Sequence, residues 1–349
     1  MMGGAIGVLI VDDSATVRAV LRRLVTAATD LRVVGEAGDG AAAVDAAARL
    51  LPDVILMDLE MPVLDGCSAT ARIMTARPTP ILVITSRANR SQVQTAFTAI
   101  RSGALEVLPK PEDPEGWERM ARTLPAAIRT AALAQLPGGI ARPRPASAVP
   151  VMDSISGRPQ VRFVAVGAST GGPAALRDML AALPPSPPAT ILVVQHIADG
   201  FAEGLAEWLA SDLGRDVRVA SDGEQATPGK VRLAPSGAHL RLAGGVLQVD
   251  ARRPPRGVHR PSVDELFESC AVCCPRLTAG VLLTGMGADG AAGLAALQRA
   301  GALTIVQDEA SSVVFGMPRV ALEAGAARIA LPPAAIGQLL ARVWNGGEG

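Results

Sequence analysis

Short apolar runs that end in a polar or acidic residue recur along this chain, and segments with helical periodicity separate them. Runs of about four to eight apolar residues suit strands that are buried on both faces of a sheet. Strands that alternate with helices predict parallel sheets, so we expect two doubly wound α/β domains with mainly parallel sheets. The runs lie at residues 6–11, 33–34, 54–57, 81–84, 105–108, 163–166, 189–196, 277–284 and 303–306.

One run leads into a serine between glycines. Phe163–Val166 precedes Gly167-Ala-Ser-Thr-Gly171, and a helix is expected from Gly172 to Leu180. A serine on such a turn presents its hydroxyl at the edge of the sheet, and the helix N-terminus favours negative charge such as an oxyanion. A solvated serine or a phosphate-binding turn fits the same pattern. A Walker loop does not, because no lysine follows the glycines.

Length and charge narrow the class of protein. The chain has 349 residues, which is enough for two domains with separate cores. Its net charge is zero, so no basic excess indicates a nucleic-acid partner. No apolar run of about 18 residues predicts a membrane span, and the first residues lack the features of a signal peptide. We therefore expect a cytoplasmic protein without direct membrane insertion and without a nucleic-acid partner.

The four cysteines do not form a metal-binding pattern. Cys67 stands alone, while Cys270, Cys273 and Cys274 fall on a predicted helix at Val263–Leu277. A structural zinc site needs a fourth ligand and is usually built from two paired clusters. We expect these cysteines to be ordinary buried helical residues.

Acids, a threonine and a lysine follow the strands of the first third of the chain. Asp12 and Asp13 come after the first run, Asp58 after the third, and Thr85 and Lys110 after the fourth and fifth. The carboxyl ends of parallel strands meet at one edge of a sheet, so these side chains should share a pocket. Three carboxylates together favour Mg²⁺, and a carboxylate beside Mg²⁺ and a lysine is suited to attack a phosphoryl group. Each acid taken alone could instead cap a helix or a turn.

Residues 5–128 resemble a response-regulator receiver domain, which has a flavodoxin-like fold. The matching segments are Val11–Ser14, Met57–Pro62 with Asp65-Gly66, Ile84–Ser86 and Leu108–Pro111. The resemblance implies Mg²⁺ coordination by Asp12, Asp13 and Asp58, phosphorylation of Asp58, and phosphoryl sensing by Thr85 and Lys110.

One position departs from the receiver pattern. The family often carries an aromatic switch residue three positions before the lysine, and this chain has Val107 there. We therefore expect the signal to depend on movement of Thr85 and its loop.

A segment rich in proline and glycine separates the two halves of the chain. Trp117–Gln135 is predicted to be the last receiver helix, and the composition of residues 137–150 then favours an extended, poorly ordered connector. The predicted boundaries are a receiver domain at 5–128, a flexible Pro/Gly/Arg linker at 129–158 and a catalytic domain at 159–345.

The second half offers partners for Ser169. A serine hydroxyl needs a base in hydrogen-bond reach, and a carboxylate must orient that base. His196 ends a strong buried strand, whereas His239 is expected on a strand or its turn and His259 in a loop rich in proline and arginine. Asp289 lies in the turn after the run at 277–284, where it could instead cap the following helix. The order serine, histidine, acid differs from that of α/β-hydrolases.

A dinucleotide-binding pattern is a rival interpretation. Gly285-Met-Gly-Ala-Asp-Gly290 fits Gly-x-Gly-x-x-Gly between a strand and a helix, and Asp308 lies close to 20 residues beyond. On pattern alone, an NAD-binding domain remains possible.

From Arg162 to Leu340 the chain resembles the catalytic domain of the chemotaxis protein-glutamate methylesterases, a Rossmann-like three-layer fold. The matching segments are Val166–Gly172, Val194–His196, Leu233–Leu240, His259–Asp264, Leu283–Gly290 and Gln307–Pro318. The resemblance implies Ser169 as nucleophile, His196 as general acid and base, Asp289 as orienting carboxylate, and Thr170 and Met286 at the oxyanion and substrate pocket. It implies no cofactor for the esterase site. Ile197–Gly200 lacks the proline that the family often has there, which leaves the adjoining substrate loop less defined.

The two resemblances together imply a phosphorylation-activated serine hydrolase. Its substrates would be glutamate methyl esters on methyl-accepting chemotaxis receptors, with methanol released and selected glutamines deamidated. A chemotaxis histidine kinase would phosphorylate Asp58, and the receiver is expected to cover the esterase site until then. A binding module with an inactive triad and an NAD-binding domain are the alternatives.

Overall fold

The computed structural model of the protein describes residues 4–86, 90–136 and 160–345. The chain divides into two compact units, Met1–Ala141 and Arg142–Gly349. Most of the predicted linker, residues 137–158, lies outside the described residues, and the domain boundaries stay a prediction.

The first unit is a parallel sheet with helices, as the alternation of runs predicts. Its strands lie in the order β2-β1-β3-β4-β5, and every neighbouring pair is parallel. The elements are β1 (Ile6–Val11), α1 (Ala15–Thr26), β2 (Leu31–Ala37), α2 (Gly40–Leu50), β3 (Val54–Met57), α3 (Gly66–Ala76), β4 (Ile81–Thr85), α4 (Arg90–Arg101), β5 (Glu106–Pro109) and α5 (Pro114–Ala132).

Side-chain caps start four of these helices. In each case an oxygen of the residue before the helix accepts a hydrogen bond from a backbone N–H in the first turn, which satisfies a donor that would otherwise lack a partner. The capping residues are Ser14, which was predicted, and Asp39, Asp65 and Asp113. The helix predicted at Trp117–Gln135 spans Pro114–Ala132, so it begins and ends three residues earlier than predicted. It begins earlier because Asp113 caps it and Pro114 fits its first turn.

The second unit is a seven-stranded parallel sheet with one antiparallel hairpin. The sheet order is β14-β13-β12-β6-β7-β9-β8, and β10 pairs with β11. The elements are β6 (Phe163–Ala168), α6 (Gly172–Ala181), β7 (Thr190–Gln195), α7 (Ala202–Leu213), β8 (Val217–Val219), β9 (Val231–Leu233), β10 (His239–Ala243), β11 (Val246–Asp250), α8 (Val263–Cys273), β12 (Thr278–Leu282), α9 (Ala291–Arg299), β13 (Leu303–Gln307), α10 (Met317–Glu323), β14 (Ile329–Leu331) and α11 (Pro333–Asn345).

Three adjacent strands place the site of this unit. β6 lies between β12 and β7, with Gly167 opposite Leu282 and Ala168 opposite Gln195. Because the three strands are parallel and in register, the residues that follow them emerge at one edge of the sheet. The serine turn, His196 and the turn that carries Asp289 therefore meet there, as the carboxyl-end rule predicts.

The structure corrects one predicted helix. The segment expected to be helical over Val263–Leu277 ends at Cys273, and Pro275–Leu277 forms a separate 3₁₀ turn. Proline has no N–H to donate and restricts the residue before it, so Cys274 takes an extended φ of −158° at the helix end. Cys270 is buried within α8, whereas Cys274 lies outside any α-helix.

Among the described residues, no helix is long and apolar enough to cross a membrane.

Candidate active site and candidate phosphoacceptor site

Three carboxylates converge at the edge of the first sheet. One oxygen from each of Asp12, Asp13 and Asp58 lies within 4.8 Å of the others. Asp12 and Asp58 are buried, and Asp13 is exposed. The ammonium group of Lys110 lies 2.7 Å from Oδ2 of Asp12 and 2.7 Å from Oδ2 of Asp58. The pocket therefore combines hard oxygen ligands that fit Mg²⁺ with one fixed cation.

Burial and neighbouring charges shift the pKa values of Asp58 and Lys110 in opposite directions. Burial raises the pKa of Asp58, and the hydrogen bond and charge of Lys110 only partly oppose that rise. For Lys110, burial lowers the pKa, but the hydrogen bonds that it donates to Asp12 and Asp58 and the charges of these carboxylates outweigh burial, and the net pKa is raised. The lysine therefore stays an ammonium ion at neutral pH beside the two carboxylates.

Thr85 lies at the same edge. It is buried at the end of β4, and its carbonyl oxygen accepts a hydrogen bond of 2.8 Å from the backbone N–H of Lys110. The two predicted sensor residues are thus joined through the backbone. Val107, at the position of the aromatic switch residue, is buried in β5. Valine has no aromatic ring that could move between a buried and an exposed position.

In the second unit, His196 and Asp289 form a hydrogen-bonded pair. Nε2 of His196 lies 2.8 Å from Oδ2 of Asp289, although 93 positions separate them in the chain. The His196 side chain is 11% exposed and that of Asp289 is 6% exposed. A buried carboxylate that accepts a hydrogen bond from the imidazole N–H fixes the tautomer and direction of the ring, which a general base requires.

Asp289 does not cap the helix that follows it, which was the alternative on sequence. Helix α9 begins after Gly290 without a side-chain cap. The Asp289 carboxylate instead binds the N-terminus of α8, where it accepts hydrogen bonds from Val263 N at 2.7 Å, Asp264 N at 3.1 Å and Ser262 Oγ at 2.8 Å. Helix N-termini favour negative charge, so α8 holds the acid that orients His196.

These donors keep Asp289 ionised. Burial alone would raise the pKa of its carboxyl, but the hydrogen bond and charge of His196, followed by the bonds from Val263 and Ser262, hold it well below the usual range. An ionised Asp289 stabilises an imidazolium at His196 when that ring takes up a proton.

The remaining nitrogen of His196 is buried and has no hydrogen-bond partner within the described part of the chain. That atom is Nδ1, on the side of the ring away from Asp289. The ring of His259 stacks on His196 with centroids 3.9 Å apart and planes 1° from parallel. The Nε2–Asp289 hydrogen bond fixes which edge of the ring faces the carboxylate, so Nδ1 is the ring nitrogen left to accept a proton from another group.

Ser169 lies on the turn after β6. Its N–H donates to Thr284 O at 3.0 Å, and its carbonyl oxygen accepts from Gly172 N at 2.7 Å and from Gln195 Nε2 at 2.8 Å. The left-handed residue of the turn is Gly171, with φ of 76°, and Ser169 has no positive φ. The turn is thus less strained at the serine than the nucleophile turn of α/β-hydrolases.

Ser169 Oγ makes no hydrogen bond to any residue that the structure describes. The structure therefore brings His196 and Asp289 into contact. Ser169 lies at the end of the neighbouring strand, and its hydroxyl is not hydrogen-bonded to His196. Catalytic hydrogen bonds of this kind are often long without substrate and tighten in its presence.

Thr170 follows Ser169 within the serine turn, and Met286 follows Gly285, which packs against Ser169. Thr170 is buried, and its carbonyl oxygen accepts from Thr284 Oγ1 at 3.1 Å. The carbonyl oxygen of Gly285 accepts from Gly316 N at 3.1 Å and Met317 N at 2.8 Å. A planar trans peptide points its N–H opposite to its carbonyl, so this clamp fixes the direction of the Met286 N–H.

Two glycines of the dinucleotide-like pattern approach other side chains closely, and the third, Gly287, has a φ of 92° that favours glycine. A methyl group on Gly285 would lie 2.6 Å from Ser169 Cβ, and one on Gly290 would lie 2.6 Å from Val263 Cγ1. The carboxylate of Asp308 accepts hydrogen bonds from Ser311 N at 3.1 Å and from the Ser311 hydroxyl. The backbone of residues 285–290 thus lies close to Ser169 and to α8. Asp289, which belongs to this segment, binds His196.

Sequence reasoning missed the supports around Asp289. Ser262, Val263 and Asp264 supply its hydrogen bonds, and His259 covers His196. The signal was present in the segment His259–Asp264, which matched the methylesterase pattern without a role for any of its residues.

The fold and these two sites define a class of protein, in which one α/β unit has a phosphoacceptor-type acidic pocket and the other has a serine, histidine and aspartate at one sheet edge. Comparison with known families agrees. Residues 8–122 match the model of the response regulator receiver domain, and residues 164–340 match that of the CheB methylesterase. The chain belongs to the CheB methylesterase family.

Relatives of similar length share both halves. A protein-glutamate methylesterase/protein-glutamine glutaminase of Anaeromyxobacter dehalogenans is 45% identical over 97% of this chain and 99% of its own. One from Myxococcus xanthus is 44% identical over 95% of this chain and 96% of its own. Among solved structures, the CheB methylesterase catalytic domain of Thermotoga maritima is 36% identical, covers 52% of this chain and 98% of its own, and has a TM-score of 0.50.

Proposed function

We propose that this protein hydrolyses glutamate methyl esters on methyl-accepting chemotaxis receptors and deamidates selected receptor glutamines. The observation that carries the proposal is the His196–Asp289 pair at a strand end next to Ser169 in a chain of this family. An ester or amide carbonyl is the group that a serine, an imidazole and a carboxylate in this arrangement can attack.

The first step is attack by Ser169. Nδ1 of His196 takes the hydroxyl proton as Oγ bonds to the carbonyl carbon, and Asp289 stabilises the imidazolium. The oxyanion is held by backbone N–H groups at Thr170 and Met286, each worth about 3 kcal/mol in the transition state. The helix N-terminus of α6 adds a favourable field.

Collapse of the intermediate breaks the bond to the leaving group. The imidazolium returns its proton to the departing oxygen, which leaves as methanol, or to the departing nitrogen, which leaves as ammonia. Water then attacks the acyl-serine with His196 again as base. The products are a glutamate side chain and free Ser169, and both substrates pass through the same kind of tetrahedral intermediate.

The receiver unit regulates this reaction in our proposal. Asp12, Asp13 and Asp58 would hold Mg²⁺, which neutralises charge on the transferred phosphoryl group when bound. The Asp58 carboxylate accepts the phosphoryl group from a chemotaxis histidine kinase, and Lys110 and Thr85 bind its oxygens. Phosphorylation adds about −1.5 to −2 of charge, and it raises the esterase rate.

Methanol release from methylated receptor membranes tests both halves. We would compare wild type, Ser169→Ala and Asp58→Asn, each with and without a small-molecule phosphodonor. Release that requires Ser169 and rises with phosphodonor only when Asp58 is present supports the proposal. No release from wild type would refute the esterase and favour the binding-module alternative. Release that ignores the phosphodonor would keep the enzyme and refute the switch.

A further inference from the structure

His239 is a wholly buried histidine at the start of β10. Its Nδ1 accepts a hydrogen bond from the backbone N–H of Ser262 at 3.2 Å, and its Nε2 lies 3.1 Å from the carbonyl oxygen of Pro254. A carbonyl oxygen only accepts, so Nε2 carries the ring proton and Nδ1 is left to accept. Both polar atoms of this buried ring are therefore satisfied in one neutral tautomer.

The residue that His239 binds is the first of the Asp289 supports. Ser262 donates its N–H to His239 and its hydroxyl to Asp289 Oδ1 at 2.8 Å. The next two N–H groups, from Val263 and Asp264, bind the same carboxylate. All three donors to Asp289 besides His196 thus begin at a residue whose backbone is held by the His239 ring.

The second contact of His239 reaches the loop at residues 251–261, which joins β11 to α8. Pro254 lies in this loop, and so does His259, whose ring stacks on His196. Arg256 anchors the same loop to α8 through two hydrogen bonds to Glu268, at 2.5 and 2.7 Å. One buried ring therefore joins the loop that covers the base to the helix start that holds the acid.

We propose that His239 is a positioning residue for the reaction at Ser169, acting through Ser262 on Asp289 and so on the direction of His196. The proposal rests on the proposed function. A carboxylate that must orient a base works only while its own donors stay in place, and a shift of about 1 Å far from the reacting atoms can cost about 100-fold in rate.

The two hydrogen bonds of His239 can be removed separately. Counted in bonds from the backbone, the amide of asparagine reaches the place of Nδ1 and that of glutamine reaches the place of Nε2. His239→Asn therefore keeps an acceptor for the Ser262 N–H and loses the bond to Pro254. His239→Gln keeps the donor to Pro254 and leaves the Ser262 N–H buried without a partner.

The matched pair gives opposite expectations for the full-length protein. We expect His239→Gln to lower kcat for methanol release at least about tenfold with KM nearly unchanged, and His239→Asn to keep kcat within about threefold of wild type. The proton NMR signal of the His196–Asp289 hydrogen bond should shift in the glutamine variant and keep its position in the asparagine variant. Gln248→Ala, an exposed change on the same hairpin, should alter neither.

Equal kcat in the asparagine and glutamine variants, or a loss that appears only in KM, would overturn the proposal. So would a loss that parallels the fraction of unfolded protein in thermal melts. If the glutamine variant does not fold, the ¹⁵N spectrum of wild type decides: a ring proton on Nδ1 of His239, or protons on both nitrogens, at neutral pH contradicts the proposal. The NMR readouts need no ester hydrolysis, so this proposal can fail while the proposed function stands, and the reverse.

Discussion

The imidazole rings of His196 and His259 lie face to face, with centroids 3.9 Å apart and an angle of 1° between their planes. The His196 side chain is largely buried and His259 is half-buried, and of the two rings only His196 is hydrogen-bonded to Asp289. Two imidazolium ions cannot share such a stack without strong repulsion, so protonation of one ring opposes protonation of the other. His259 thus serves best as a neutral, flat support for the ring that accepts the proton.

This stack predicts a pH dependence of stability. Burial lowers the pKa of His259 from its ordinary value of about 6.5, and the neighbouring His196 lowers it further. Below that pH the unfolded chain binds more protons than the folded one. The stability contributed by the neutral ring is therefore complete above pH 6.5 and is lost as the pH falls toward the folded pKa. Thermal melts between pH 7.5 and about pH 5 should show a smaller acid loss in His259→Phe, which keeps a flat ring that cannot titrate. Equal acid loss in the two proteins would contradict this.

The geometry predicts which nitrogen of His196 acts as base. Nε2 binds Asp289, and the buried Nδ1 has no partner in the described residues. Incorporation of Nδ-methylhistidine at position 196 should abolish methanol release while the Nε2–Asp289 proton remains visible by NMR. A methylated enzyme that still turns over more than about 1% as fast as wild type would show that Nδ1 is not the base.

Packing against the nucleophile predicts an asymmetry between two glycines. An added methyl on Gly285 would overlap with Met317 Sδ and lie 2.6 Å from Ser169 Cβ, next to the backbone, whereas one on Gly280 would lie 2.7 Å from the flexible end of Leu294. Gly285→Ala should lower kcat about 100-fold, because it moves the serine. Gly280→Ala should cost about 1–3 kcal/mol of stability and leave kcat near wild type. Similar kcat losses in both variants would argue against displacement of Ser169.

Backbone strain at Val63 predicts a stabilising substitution in the first unit. This β-branched residue has φ of 67° and is 86% exposed, so its side chain gains nothing from burial that would offset the strain. Val63→Asn should raise the free energy of unfolding of this unit by about 1 kcal/mol, measured by chemical denaturation. Val63→Thr keeps the branched shape and should give no gain. Equal stability of the two variants would mean that the strain is not relieved by asparagine.

The acidic cluster of Asp12, Asp13 and Asp58 predicts that activation by a phosphodonor requires Mg²⁺ and that the basal esterase reaction does not. Chelation of Mg²⁺ should abolish the rise in methanol release caused by a phosphodonor and leave the basal rate unchanged. Asp13→Asn should raise the Mg²⁺ concentration needed for activation, because it removes one charged ligand of the cluster. Asp45→Asn removes the same charge from an exposed position on α2 and should behave as wild type. An activated Asp13→Asn protein with unchanged Mg²⁺ dependence would contradict the ligand assignment.

Sequence patterns predicted much of the fold because the parallel strands are buried on both faces. Ile6–Val11 and Val54–Met57 are strands with the predicted bounds, since a continuous apolar run leaves little choice of structure. The three-residue strands β8, β9 and β14 were missed because so short a segment has no measurable periodicity. Helix α8 ends earlier than its apolar pattern predicts because Pro275 keeps the residue before it out of the helical conformation.

The sequence by itself determined the parallel sheets and the placement of Asp58, Lys110, Ser169 and His196 beyond strand ends, since side chains after parallel strands meet at one edge. Only the tertiary structure decided the partners of Asp289. Its carboxylate could have bound the N-terminus of α9 next to it, but it binds that of α8, which chain order does not reveal. The same holds for the stack of His259 on His196 and for the buried ring of His239, because contacts between distant segments depend on how the helices and loops pack over the sheet.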